Sequence, residues 1–258
     1  MIVLILPAKA SFIKHGNGAS NVGLSLSGSA SKFPDFCVLT NPSQITGNPA
    51  FEFFFRNYYG INELNQFAIN SEFSILNQTM GIGIMRFGNN LYSETEMDLG
   101  ISYPLYSNFL LGLSISTYFL QIKNYGDTFS FGINASICYE LYKKLRIAAI
   151  INNLNEPILG ASGEKIPLTG ILGLSYSPIQ AVEVLLDTFK EEFFKFVYRC
   201  GIRINVLSNI NLLTGFQNSI NSFSAGLELN QNSYAIKYSV DIHPVLNASH
   251  AIGFKYVL

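Results

Sequence analysis

From Phe51 to Leu258, apolar and polar residues alternate in fourteen short segments. The clearest is 128–139. There Phe129, Phe131, Ile133, Ala135, Ile137 and Tyr139 fall on one side, and Thr128, Ser130, Gly132, Asn134, Ser136 and Cys138 on the other. Successive side chains of a strand point to opposite faces, so this period of two predicts a β-strand. The predicted strands are 51–59, 64–75, 79–87, 92–103, 107–123, 127–140, 144–152, 167–177, 181–189, 193–206, 208–217, 221–230, 232–243 and 247–258. Turn-forming groups separate them, as at Gly88-Asn89-Asn90, Pro104, Asn124-Tyr125-Gly126, Lys143-Lys144 and Asn230-Gln231-Asn232. The longest gap, 153–166, holds Asn153, Asn155, Pro157, Gly160 and Gly163 and reads as a loop. One stretch, 181–196, is ambiguous: Val182, Leu185, Leu186, Phe189 and Phe193 also fit a helical stripe, with Lys190-Glu191-Glu192 on its exposed side. The strand–turn–strand reading is kept.

Three parts follow from this pattern. Residues 51–258 form the strand array. Residues 11–50 are rich in Gly, Ser and Asn, contain Pro34, Pro42 and Pro49, and show at most one short strand, 21–26. They read as a plug-like segment packed into or under the strands, with a disordered leader as the alternative. Within them Asn41-Pro42 predicts a helical turn, Asn as cap and Pro at the first helical position. In residues 1–10, Ile2-Val3-Leu4-Ile5-Leu6 precedes Ala8-Lys9-Ala10, which resembles the tail of a secretory signal peptide cleaved after Ala10. The charged start of such a signal is missing, and a buried strand is the other reading.

Alternation alone does not say which face is wet. Composition decides it. Charged residues are 13% of the chain, about half the ~25% of soluble domains. The polar faces are mostly Ser, Asn, Gly and Thr, a poor surface for water but a fair lining for a lumen. A closed barrel of about fourteen strands is too wide for side chains to fill. Aromatics fall near strand ends, at Tyr58, Tyr59, Tyr103, Tyr106, Tyr118, Phe119, Tyr139, Tyr142, Tyr176 and Tyr256, as in the girdles of membrane barrels. No apolar run approaches the ~20 residues of a spanning helix, so any membrane crossing uses strands, which must close on themselves. The expected fold is therefore all-β: a transmembrane, antiparallel, up-and-down β-barrel of about fourteen strands in a bacterial outer membrane, its apolar face on outer-membrane lipid. A soluble ligand-binding β-barrel or β-sandwich is the alternative.

Charges then belong to the lumen. Glu94, Glu96 and Asp98 share one face; Lys195, Arg199 and Arg203 share another; Glu228, Lys237, Asp241 and Lys255 also fall on polar faces. They are expected to pair with one another and with the inserted segment. A ligand-binding role for the Arg199/Arg203 ladder is the sharper alternative. A net charge of −1 argues against nucleic acid as a partner. No catalytic motif is present, so an enzyme is not expected. His243 and His250 face opposite sides by alternation, and Cys37, Cys138 and Cys200 lack metal or disulfide spacing, so no metal or cofactor is expected.

The order of several short motifs resembles a known family. Ile151-Asn152-Asn153-Leu154-Asn155-Glu156-Pro157, Lys165-Ile166-Pro167-Leu168 and Leu172-Gly173-Leu174-Ser175-Tyr176 are similar to a loop and strand start in PorV/PorQ-type proteins, members of the wider FadL-like outer-membrane barrels. Gly201-Ile202-Arg203, Leu213-Thr214-Gly215-Phe216, Ser224-Ala225-Gly226-Leu227 and Ser249-His250-Ala251-Ile252 follow in the family's order, and Thr40-Asn41-Pro42-Ser43 resembles its W-N-P-A segment. Ser43 replaces Ala, and the chain ends on Leu258 instead of an aromatic. The resemblance implies a fourteen-stranded barrel around an N-terminal plug that carries the Asn41-Pro42 motif. It also implies passage or capture of a hydrophobic small molecule or polypeptide, or, alternatively, binding of secreted protein cargo as a type IX secretion accessory.

Overall fold

The computed structural model describes residues 11–12, 16–160, 163–192 and 194–258. The expected leader, 1–10, and His15 lie outside the described residues. Fourteen strands form a closed antiparallel barrel. They begin with β1 (Ala50–Asn57), β2 (Asn65–Ile75), β3 (Gln78–Gly88), β4 (Tyr92–Tyr106), β5 (Phe109–Ile122), β6 (Gly126–Tyr142) and β7 (Leu145–Asn152). A two-stranded ribbon, β8 (Ile158–Leu159) with β9 (Glu164–Lys165), interrupts the series inside the predicted 153–166 loop. The wall continues with β10 (Thr169–Ile179), β11 (Val182–Glu191), β12 (Val197–Leu207), β13 (Ile210–Gln217), β14 (Ser222–Gln231), β15 (Tyr234–Ile242) and β16 (Ser249–Val257). Each wall strand pairs with its predecessor, β10 pairs with β7, and β16 closes on β1 through the register Phe53↔Phe254. The ambiguous stretch resolves as strand–turn–strand.

The two ends differ. At one, every connection is two residues long: 76–77, 107–108, 143–144, 180–181, 208–209 and 232–233. Leu76 and Asn77 both have positive φ (50° and 63°), the geometry of a tight hairpin turn whose twist matches the strands. Connections at the other end run longer, to sixteen residues at 153–168. Pro104 is not the predicted turn. It lies within β4 next to a bulge, and the chain reverses beyond it at 107–108.

The apolar face points outward. On β6, Phe129, Phe131 and Ile133 are about half or more exposed (63%, 52%, 47%), while Ser130, Asn134, Ser136 and Cys138 are buried. Ile69, Ile84, Met97, Leu99, Ile115 and Ile252 continue that apolar exterior on other strands. No helix among the described residues is long and apolar enough to cross a membrane.

Residues 16–49 run inside the barrel. Helix α1 (Ala19–Gly23) packs against β13–β16, helix α2 (Cys37–Thr40) against β2–β4, and a 3-10 turn (Pro42–Gln44) against β4–β6. The possible strand at 21–26 is thus a helical turn instead. Ser25 and Leu26 take positive φ, which breaks an extended path. The barrel's apolar contacts lie between this segment and the wall: Val22, Phe36 and Leu39 meet Phe54, Ala68, Met85 and Ala251, and Leu24 meets Leu185 and Leu213. Two glycines make room. A Cβ on Gly112 would collide with the backbone of Pro42 and Ser43, and one on Gly215 with the backbone of Leu24 and Ser25.

Candidate ligand-binding lumen

A lumen lined by polar side chains and filled by a polar backbone must satisfy every buried donor and acceptor. The inner segment has short helices that leave many N–H groups unpaired within themselves. Wall carboxylates accept them. Glu52 accepts the Phe36 N–H (2.8 Å), Glu72 the Thr46 N–H (2.9 Å), Glu183 the Lys32 N–H (2.7 Å), Asp187 the Ser29 N–H (3.1 Å) and Glu94 the Phe12 N–H (2.9 Å). Wall hydroxyls donate in the other direction, Ser239 to the Ala19 carbonyl and Ser224 to the Gly23 carbonyl.

Cations balance these acids. Arg203 is buried between Glu183 (3.0 Å) and Glu228 (3.1 Å), and also donates to Ser31 Oγ and the Phe33 carbonyl. Lys237 pairs with Asp35 of the inner segment, Lys255 with Glu52 (3.0 Å), and Arg56 with Asp241 (2.9 Å). Burial pushes the Asp35 carboxyl up, but the Lys237 and Lys255 ammonium groups outweigh it and bring its pKa down to about 2.

The residues named from sequence take these places. Glu94, Glu96, Asp98, Arg203, Glu228, Lys237 and Asp241 are buried on the inner face of the wall, and Arg199 faces inward with its guanidinium over the Phe189 ring (4.7 Å). Arg203, Glu228 and Lys237 meet around Ser31–Asp35. Glu94 lies apart, under the 153–168 loop, where Phe12, Tyr118, Leu120, Leu159 and Ile166 form an apolar cluster. Asn41 caps the 3-10 turn, its side chain accepting from the Ser43 N–H with Pro42 at the first position, as the sequence motif predicts.

Lys195 is a correction. It is exposed in the connection between β11 and β12, because Lys190 gathers the carbonyls of Glu191, Glu192 and Phe194 and turns the chain before β12 begins. Tyr58 and Tyr118 are corrections too. Both are buried inside (6% and 0% exposed), where Tyr58 donates to Gln66 and Tyr118 to Asn153, so neither belongs to an outer girdle. Tyr103, Tyr106, Tyr142, Tyr176 and Tyr256 do stand exposed near the end with two-residue turns. Sequence reasoning missed Glu52, Glu72, Glu183 and Asp187. Glu52 and Glu72 are single acids on β1 and β2, Glu183 and Asp187 share β11, and their inward positions on alternating strands were the available signal. Among the described residues no group of three or more His, Cys, Asp and Glu could hold a metal ion.

The segment does not fill the lumen. A cavity of about 860 Å3 opens at the end with two-residue turns, bordered by Phe33, Lys143, Lys144, Lys237 and Lys255. A second, of about 70 Å3, lies between the inner segment and β7, β10, β11 and β12.

No family model matches this sequence, and no curated protein is similar to it. Solved structures are similar in fold. The chain superposes on the CymD monoaromatic hydrocarbon channel with a TM-score of 0.68 at 12% identity, covering 94% of this chain and 98% of that one. It superposes on the P. putida toluene transporter TodX with a TM-score of 0.70 at 10% identity, covering 94% and 99%, and on a TodX channel mutant with a TM-score of 0.74 at 10% identity. At such identities the likeness is one of architecture: a closed antiparallel β-barrel.

Proposed function

We propose that the protein is a non-enzymatic channel of a bacterial outer membrane that passes or captures a small, largely apolar solute, with residues 16–49 as its plug. The observation that carries this reading is the lumen itself: a barrel apolar outside and polar inside, occupied by its own N-terminal segment, with cavities left between segment and wall. The similar structures described as hydrocarbon and toluene channels support a small-molecule solute, and the FadL-like resemblance in the sequence points the same way. The secreted-cargo alternative has no support among them. The outward apolar face speaks against the soluble alternative. By analogy with outer-membrane barrels, the two-residue turns face the periplasm and the longer connections the exterior.

The test is reconstitution. Purified protein should migrate as a heat-modifiable band in detergent, and proteoliposomes should take up toluene faster than protein-free vesicles. A detergent-independent soluble monomer, or uptake no faster than empty vesicles, would reject the reading.

A further inference from the structure

The larger cavity opens among the two-residue turns, at the end turned to the periplasm in the proposed orientation. Four carboxylates border it: Asp35, Glu72, Glu183 and Glu228. All four are buried and engaged, Asp35 by Lys237, Glu72 by Thr46, and Glu183 and Glu228 by Arg203. The cations at the rim are different. Lys32 gives its ammonium to the Lys143 carbonyl (2.6 Å), and Lys144 to the Pro178 carbonyl (2.9 Å). A carbonyl accepts a hydrogen bond but leaves the positive charge uncompensated. Among the described residues, none of Lys32, Lys143 and Lys144 makes an ion pair with a carboxylate. Beside them stands Phe33, 61% exposed and the one large apolar side chain of 16–49 that is exposed. Val22, Leu24, Phe36 and Leu39 instead press against the wall. Arg203 holds the Phe33 ring, its guanidinium 5.2 Å from the centroid.

We infer that this vestibule docks an acidic segment of a periplasmic protein, with a large apolar side chain of that segment on Phe33 and its carboxylates on Lys32, Lys143 and Lys144. Charge selects the partner: an uncompensated basic rim draws acidic groups and repels basic ones. The exposed ring supplies the kind of aromatic anchor on which binding energy concentrates. Asn48, Gln180 and Asn230 border the same cavity with side-chain amides that reach solvent, and an amide can both donate to and accept from the backbone of an extended peptide. The two-residue turns keep the rim low, so a folded partner can bring such a segment to it. A bare hydrocarbon makes no use of the lysines, and a small inorganic anion makes no use of Phe33.

The inference takes its orientation from the channel reading, but its test needs no transport. A fluorescent peptide, acetyl-Glu-Glu-Phe-Glu-Glu-amide, is titrated into the protein in a neutral detergent, beside one version with Lys for each Glu and another with Ala for Phe. The acidic aromatic peptide should bind at least about tenfold tighter than either version, and its affinity should fall as salt rises from about 50 to about 300 mM. Lys143→Glu and Lys144→Glu together should weaken it at least about tenfold with heat-modifiable migration intact, and Phe33→Ala should remove the advantage of the phenylalanine. Equal binding of the acidic and basic peptides by the unaltered protein overturns the inference, as does an affinity unmoved by the double lysine exchange. Displacement of the peptide by an equal concentration of benzoate or of phosphatidylglycerol micelles assigns the rim to a small anion or to lipid, and overturns it too. Toluene entry without any peptide preference removes this inference and leaves the channel reading standing. Peptide preference without toluene entry does the reverse.

Discussion

Adjacent residues 133 and 134 test the assignment of faces. Ile133 projects outward midway along β6, so Ile133→Arg places a cation against hydrocarbon and should cost about 2–4 kcal/mol of barrel stability. Asn134, one residue on, is buried, donates to Ser114 (3.0 Å) and Ser116 (2.7 Å), and accepts from the Asn153 N–H (3.0 Å). Asn134→Ala should therefore cost about 1–3 kcal/mol, for lost hydrogen bonds and not for lipid contact. Urea unfolding in lipid vesicles separates the two: only the Ile133→Arg penalty should shrink in a detergent micelle that adapts to the cation. A second residue-scale prediction concerns acid. Asp35 has its pKa lowered from 3.8 to about 2, so its contribution, on the order of 2 kcal/mol, is complete above pH 4 and is lost as pH falls from about 4 to 2. The urea midpoint should drop through that window, and Asp35→Asn should flatten the drop. Faces were legible in the sequence at this scale because alternation fixes them once a single face is known. Individual aromatics were not. Tyr118 and Phe119 are neighbours near a strand end, yet Tyr118 is inside because the even positions of β5 face inward, and Lys195 left its predicted face because the strand stops short of it.

At the scale of elements, the hairpins were readable and the inner segment was only partly so. Asn77, Asn108, Asn209, Asn232 and the Lys143-Lys144 pair mark tight turns in the sequence, whereas Pro104 misled because a proline at a bulge can sit inside a strand. Asn41-Pro42 announced its 3-10 turn by local chemistry alone. Helix α1 gave no such signal: five residues form it, without a side-chain cap, and contacts with β14 and β15 hold it. Such an element depends on the wall that surrounds it. The consequence can be tested at Gly112, whose missing Cβ admits the Pro42–Ser43 backbone. Gly112→Val suits a strand intrinsically but displaces the 3-10 turn, breaking the Ser43 N–H bond to Ser136 (2.9 Å) and the Ser102 bond to the Ser43 carbonyl (2.9 Å). The expected cost is about 1–3 kcal/mol, with the barrel retained. Limited proteolysis should cut within 16–49 in the variant and not in the parent, while heat-modifiable migration is preserved. Wild-type resistance in Gly112→Val would mean that the segment does not need this seat.

The whole molecule combines a wall that satisfies its own backbone with a filling that cannot. Closure of β1 on β16 joins the two ends of the sheet, and Leu154 and Asn155 bond β6 where β7 falls short of it, so the wall's pairing does not draw on what occupies the lumen. The inner segment borrows its partners from the wall: Glu52, Glu72, Glu183 and Asp187 take its N–H groups, and Lys237 holds Asp35. That asymmetry predicts what removal does. Deleting residues 18–45 should leave a folded barrel, since water can solvate the exposed lumen carboxylates and the hydrocarbon face is untouched. If the proposed plug role holds, it should also open a conducting path through the barrel. In planar bilayers the full chain should show low conductance and the deletion a large steady one. The deleted lumen loses Asp35 but keeps Glu52, Glu72, Glu94, Glu96, Asp98, Glu183, Asp187, Glu228 and Asp241, which outnumber Arg56, Arg146, Arg199, Arg203, Lys237 and Lys255, so the opened lumen should prefer cations over anions. Equal conductance in the two proteins, with both migrating as heat-modifiable barrels, would mean that the segment lies in the lumen without obstructing it, and that passage follows the cavities already present beside it.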